Sequence, residues 1–243
     1  MGEAREGGPD IPLRERLIFA LDVPDADAAR RLVERLGDSV VFYKLGLELF
    51  LAGGYLELVD WLVRRGKKVF ADLKLFDVPE TVRRAVSRLT DTGVSLTTVH
   101  GNDAMLEAAA SVPRGSLKIL AVTVLTSLDR GDLRDLGFHC DVEELVLSRA
   151  RRALELGCDG VVSSGIEAAR LREHLGNRLL IVCPGIRPVD NRVVDDQKRV
   201  VTVEKAFAAG ADHIVVGRPI REAPDPRRAA ESIQARIAAF FDA

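Results

Sequence analysis

Eight short runs rich in Val, Ile, Leu and Phe alternate with amphipathic stretches, and this alternation constrains the fold more than any other feature. The runs are LIFALDV (17–23), VVFYKLG (40–46), KVFADLK (68–74), SLTTVHG (95–101), KILAVTVL (118–125), GVVSSG (160–165), LLIVCPGI (179–186) and HIVVGRPI (213–220). Nearly continuous apolar runs read as strands buried on both faces, as in a parallel sheet covered by helices. Stretches such as DADAARRLVERLG and VEELVLSRARRALELG supply those helices, with apolar residues at helical spacing. Eight strand–helix units without a break in composition predict a single-domain α/β fold, the closed (β/α)8 TIM barrel. A doubly wound open sheet is the alternative. The chain has 243 residues, and one barrel takes about 250. Residues 16–243 are expected to form the barrel domain, and 1–15 a flexible N-terminal extension. ELGCDGVV and AAGADHIVV share one pattern, in which Gly ends a helix before an acidic residue and a strand.

Several classes of function are disfavoured. The formal net charge is −2, which points to neither nucleic acid nor an anionic membrane as a partner. No apolar run approaches the ~20 residues of a membrane span. The opening MGEAREGGPDIPLRER lacks the apolar core of a signal peptide, and Glu6 stands where myristoylation wants Ser or Thr. Cys140, Cys158 and Cys183 are far apart and odd in number. They show neither metal spacing nor a disulfide framework, and fit a reducing cytoplasm. Gly-rich Rossmann and Walker patterns and nucleophile motifs are absent.

In a parallel barrel, reactive side chains gather at the C-terminal ends of the strands. Those ends read Asp22, Lys44, Asp72 with Lys74, His100, Thr126 with Ser127, Ser163 with Ser164, Arg187, and Gly217 with Arg218. Strand alternation puts Asp72 and Lys74 on one face, pointing into the barrel mouth, while Leu73 and Leu75 face the helices. Lys44 and Asp22 are placed to extend an alternating charge network. Burying charge costs several kcal/mol per ion even after relaxation. The choice is therefore between a structural ion cluster and an active site. Asp77 precedes Pro79, a natural first helical residue, so it has an electrostatic role open to it at a helix start. Gly217 allows close backbone approach, and Arg218 offers a donor fork to phosphate oxygens. Arg187 joins them from strand seven. The polar segment from Pro188 to Val201, which holds Gln197, is long enough for a lid. His100 is open between general base and packing residue. Ser163 and Ser164 suit a crowded barrel end.

The segments FALDV, FYKLGLELF, DLKLFDVPET, TVHG, VTVLTS, CPGIRP, DDQKRVVT and AGADHIVVGRPI resemble orotidine 5'-phosphate decarboxylase of the bacterial type. The resemblance runs from about Leu17 to Ile220. It implies decarboxylation of orotidine 5'-monophosphate to uridine 5'-monophosphate in pyrimidine synthesis, without a cofactor or metal. By the same resemblance Lys74 donates the proton to C6 and Asp72 sits against the departing carboxylate. Lys44 orients Asp72 and contacts the ribose, as does Asp22. Asp77 and Thr81 reach into the site of a neighbouring subunit, so the active unit is a homodimer. Thr126 and Ser127 contact the base, and Arg187, Gln197, Gly217 and Arg218 hold the phosphate. The family's usual Asp-Ile-Pro-Asn-Thr reads Asp77-Val78-Pro79-Glu80-Thr81 here, so Glu80 replaces an Asn.

Two other readings keep the fold. Related barrels with an Asp-x-Lys-x-x-Asp motif act on sugar phosphates with Mg²⁺, as 3-keto-L-gulonate 6-phosphate decarboxylase or hexulose phosphate synthase. A Mg²⁺ site wants further carboxylates at strand ends, and strand two ends in the cation Lys44. The last reading is a non-enzymatic sensor of phosphometabolites, which the full set of Lys44, Asp72, Lys74 and Asp77 disfavours.

Overall fold

The apolar runs become parallel strands because each has two faces to bury. In LIFALD, Leu17, Phe19 and Leu21 pack outward against helices, while Ile18 and Ala20 pack inward. The computed structural model describes residues 10–187 and 200–242. Among these, eight strands form a closed barrel: β1 (Leu17–Ala20), β2 (Phe42–Leu45), β3 (Lys68–Leu75), β4 (Leu96–His100), β5 (Lys118–Val122), β6 (Gly160–Val162), β7 (Leu180–Cys183) and β8 (His213–Val216). β8 pairs in parallel with β1 and closes the ring, so the open-sheet alternative is excluded. Each strand lies within its expected run or one residue beyond it. Lys44, Asp72, Lys74 and His100 lie within the strands themselves, whereas Asp22, Thr126, Arg187 and Arg218 lie past the strand ends.

Two apolar layers hold the barrel. Inside, Ile18, Phe42, Phe70, Leu96, Leu120, Leu180 and Val215 fill the lumen. Outside, the strands' other faces meet helices such as Ala26–Leu36, which buries Ala29, Val33 and Leu36 at helical spacing. Asp25 caps that helix, its carboxylate accepting from Ala28 N–H at 2.7 Å. The expected Gly stops also form. Gly157 (φ 83°) and Gly210 (φ 107°) adopt left-handed backbone between a helix and the next strand, which costs an L side chain about 1–2 kcal/mol.

Leu13–Glu15 form one turn of 3₁₀-helix, and the Glu15 carbonyl lies 2.9 Å from His213 Nδ1 beneath the barrel. Cys158 and Cys183 are buried thiols, and burial pushes Cys158 up to about 12. Among the described residues, no helix is long and apolar enough to cross a membrane.

Candidate active site

The inner-face register that places Ile18 and Ala20 in the lumen carries on to Asp22, and Phe42 is followed by Lys44 in the same way. A cavity of about 510 Å³ opens there, at the C-terminal ends of the strands. Its floor is apolar, with Ala20, Phe70, Val122, Val162 and Val215. Asp22, Lys44, Asp72, Lys74, Thr126, Arg187, Gly217 and Arg218 all line it.

The charges alternate along one chain of contacts. Lys44 Nζ lies 3.2 Å from Asp22 Oδ1 and 3.5 Å from Asp72 Oδ2. Lys74 Nζ donates to both Asp72 oxygens at 2.9 Å. Burial alone would push the Asp72 carboxyl up. The Lys44 and Lys74 ammoniums, with hydrogen bonds from Lys74 and Thr98, bring it below the ordinary carboxylate value. Burial likewise opposes the charge on Lys44, and the Asp72 and Asp22 carboxylates overcome it and raise that ammonium's pKa. The charged forms of Asp72 and Lys44 are therefore favoured although Asp72 is nearly enclosed. Lys74 is the more accessible of the array's two cations, its side chain 34% exposed against 14% for Lys44.

Asp72 and Lys74 meet, but not through plain strand alternation. β3 and β4 pair at Ala71 with Thr97 and again at Leu75 with Val99, so β3 carries extra residues between the two rungs. Lys74 sits in that irregularity at φ 47°, the one left-handed non-glycine among the described residues. Such backbone costs about 1–3 kcal/mol and persists only where its surroundings enforce it.

Thr98 is the enforcing neighbour, and reading strand ends alone misses it. Its buried hydroxyl donates to Asp72 Oδ1 at 2.9 Å and accepts from Lys74 N–H at 2.9 Å. The available signal was alternation along β4, which puts Leu96, Thr98 and His100 on one face. Arg221 was missed too. It lies three residues after Arg218, lines the cavity and donates to the Asp22 carbonyl at 2.6 Å.

Beyond the ends of β7 and β8, Arg187 and Arg218 line the cavity together. Arg187 is anchored by its N–H to the Val201 carbonyl at 3.0 Å. A Cβ on Gly217 would stand 3.3 Å from Ala20 Cβ and 3.8 Å from Asp22 Oδ2, so the absent side chain keeps this wall open. A Cβ on Gly46 would stand 3.3 Å from Lys44 Nζ. Gln197, with most of the expected lid, lies outside the described residues.

Other expected residues do not reach this cavity. Ser127 is exposed on the turn beside Thr126. Asp77 and Thr81 are exposed at the start of the helix Pro79–Leu89, where the chain has turned out of the mouth. Asp77 Oδ1 accepts from Val78 N–H at 2.7 Å, and no side chain caps that helix. The Glu80 carboxylate is engaged on its own helix, accepting from Arg83 and Arg84 at 2.7 Å, and those bonds lower it to about 2. His100 is half-buried and edge-on to Phe76, with ring centroids 5.6 Å apart. Burial, then Arg149 and Lys74, lower its pKa. Ser163 and Ser164 are buried, and Ser164 Oγ accepts from Ile166 N–H at 3.1 Å.

Comparison with known proteins adds independent evidence. A family model described as "Orotidine 5'-phosphate decarboxylase / HUMPS family" matches residues 15–233. The orotidine 5'-phosphate decarboxylase of Methylococcus capsulatus is 66% identical over 233 residues, 96% of each chain. That of Stenotrophomonas maltophilia is 52% identical, covering 96% of this chain and 98% of its own. Among solved structures, orotidine 5'-phosphate decarboxylase from Lactobacillus acidophilus superposes with a TM-score of 0.81 at 35% identity. It covers 94% of this chain and 100% of its own. The enzyme from Pyrococcus horikoshii OT3 superposes at 0.71 and 26% identity, covering 91% and 98%.

Proposed function

This chain belongs to the orotidine 5'-phosphate decarboxylase / HUMPS family, and on that footing we propose that its barrel-mouth charge array drives the family reaction by preorganised electrostatics. The enzyme is a carboxy-lyase that converts orotidine 5'-monophosphate to uridine 5'-monophosphate in pyrimidine biosynthesis. The mechanism follows from the demands of that bond cleavage on this set of residues.

When the bond from C6 to the carboxylate breaks, CO2 leaves and the electron pair stays on C6. That pair lies in the ring plane, where the π-system cannot delocalise it. Stabilisation must then come from charge fixed in advance near C6. Lys74 is the accessible cation of the array. Its ammonium faces the developing carbanion, gives C6 its proton and regains one from water. Asp72 stands beside the departing carboxylate, and Lys44 holds Asp72 and, with Asp22, meets the ribose. Thr126, with Ser127 beside it, contacts the base. Arg187, Gly217 and Arg218 hold the phosphate, whose binding energy is available to the transition state. The observation that carries this reading is the enclosed Asp72 bonded through both oxygens by Lys74 at the cavity wall.

Asp77 and Thr81 act in the site of a second copy of this chain. The reading is supported by their exposure outside their own cavity and by the exposed apolar Phe76 (66%) and Val78 (62%) around them. An isologous dimer would cover that surface and complete two sites. Mixing Lys74→Ala and Asp77→Ala proteins tests this. Random reassortment makes half the dimers hybrid, each with one intact site, so activity returns to roughly a quarter of wild type. No recovery after verified exchange would assign Asp77 to its own subunit. The reaction is placed in the cytoplasm, in keeping with three unpaired thiols.

The function is tested by following orotidine 5'-monophosphate absorbance with purified protein in EDTA. Turnover undiminished by EDTA is expected. Turnover of a keto-sugar phosphate instead, and only with added Mg²⁺, would favour the sugar-phosphate branch, against which Lys44 already sets a cation between the Asp22 and Asp72 carboxylates. No turnover of any such phosphate under either condition would sink the enzymatic reading.

A further inference from the structure

We propose that Thr98 is a positioning residue for the decarboxylation, its one hydroxyl fixing both the Asp72 carboxylate and the backbone that aims Lys74. The inference rests on the roles proposed above for Asp72 and Lys74.

Where β3 bulges between Ala71 and Leu75, the Lys74 N–H has no rung on β4 to donate to. Thr98 Oγ1 accepts that N–H at 2.9 Å, so a side chain stands in for a strand carbonyl. The hydroxyl's own proton goes to Asp72 Oδ1 at 2.9 Å. The left-handed Lys74 and the enclosed Asp72 are thus tied to a residue with no accessible surface. On either side, Thr97 Oγ1 donates to the Ala71 carbonyl at 3.1 Å and Val99 pairs with Leu75. Thr98 is therefore seated in the regular part of β4 while β3 departs from it. The geometry demands a group that donates and accepts at one atom, on a side chain at home in a strand. Val copies the shape without the chemistry, and Ser keeps the chemistry.

The test compares Thr98→Val and Thr98→Ser with wild type in kcat, in KM and in affinity for uridine 5'-monophosphate. A hydrogen bond to a charged group contributes enough that Thr98→Val should lose about 10- to 100-fold in kcat. KM and nucleotide affinity should stay within about threefold, because the phosphate and ribose contacts are untouched, and Thr98→Ser should keep kcat within about threefold. A merely structural role would lower kcat, raise KM and weaken nucleotide affinity together, or appear only as lost thermal stability. If Thr98→Val does not fold, Thr98→Ala replaces it under the same criteria. Wild-type kcat in the hydroxyl-free variant, equal losses in Val and Ser, or parallel losses of kcat and nucleotide binding each overturn the proposal. Lys74→Ala is measured alongside. If it remains active, the reading of the site fails. If it is inactive while Thr98→Val matches wild type, this inference alone fails.

Discussion

Lys74→Ala is expected to reduce kcat by at least about 10⁴-fold while the protein stays folded. A positioned general acid contributes about 10²–10⁴-fold, and a preorganised charge at the developing anion about 10²–10³-fold. In the proposed mechanism Lys74 supplies both through one atom, so the losses combine. The fold should survive because Asp72 keeps Lys44 Nζ at 3.5 Å and the Thr98 hydroxyl at 2.9 Å. Removing the cation therefore does not leave an isolated buried carboxylate. A second substitution separates chemistry from strain. Glycine accepts φ 47° without a steric penalty, so Lys74→Gly should be as inactive as Lys74→Ala but more stable by about 1 kcal/mol. In a chain of this size that raises Tm by roughly 2–4 °C relative to the Ala variant. Steady-state kinetics with thermal melts read both results. A Lys74→Ala enzyme within tenfold of wild-type kcat would remove Lys74 from the mechanism.

Arg218→Ala is expected to lower kcat/KM by about 10²–10⁴-fold, the worth of two charge-assisted bonds to a phosphate dianion. In the proposed mechanism Arg218 meets the phosphate and not the reacting bond. The division of the loss between KM and kcat therefore reports how the enzyme uses binding energy from the distant phosphate. A loss confined to KM would mean equal use in ground and transition states, and a loss in kcat would mean use in the transition state alone. Orotidine lacking its phosphate, supplied with phosphite dianion, sharpens the experiment. Phosphite should raise turnover of the truncated substrate by wild type and much less by Arg218→Ala. Equal activation of both proteins would show that the dianion is recognised elsewhere.

Much of this was legible in the residues because period-two burial is a local rule. Inner-face alternation carries Ile18 and Ala20 to Asp22 and Phe42 to Lys44, so strand ends could be read as cavity walls. The same rule applied to β3 gave the right neighbours for an incomplete reason. Asp72 and Lys74 do meet, but through a bulge and a left-handed lysine that alternation does not foresee. Thr98 was overlooked because its importance lies in what an adjacent strand fails to provide, a missing rung that exists only once β3 and β4 are paired. Asp77 and Thr81 belong to the same conspicuous motif as Lys74, yet three residues take the chain from the cavity wall to the outer surface.

The order of apolar runs and helical stretches determined the barrel, since eight two-faced strands and their amphipathic helices bury their surfaces together when the sheet closes. It also determined which polar residues crowd the mouth. Tertiary structure decided the rest: which carboxylate each lysine faces, which hydroxyl holds them, and which members of the motif leave the cavity. Those choices depend on distances of a few ångströms between residues far apart in the chain, and local patterning carries no information at that scale.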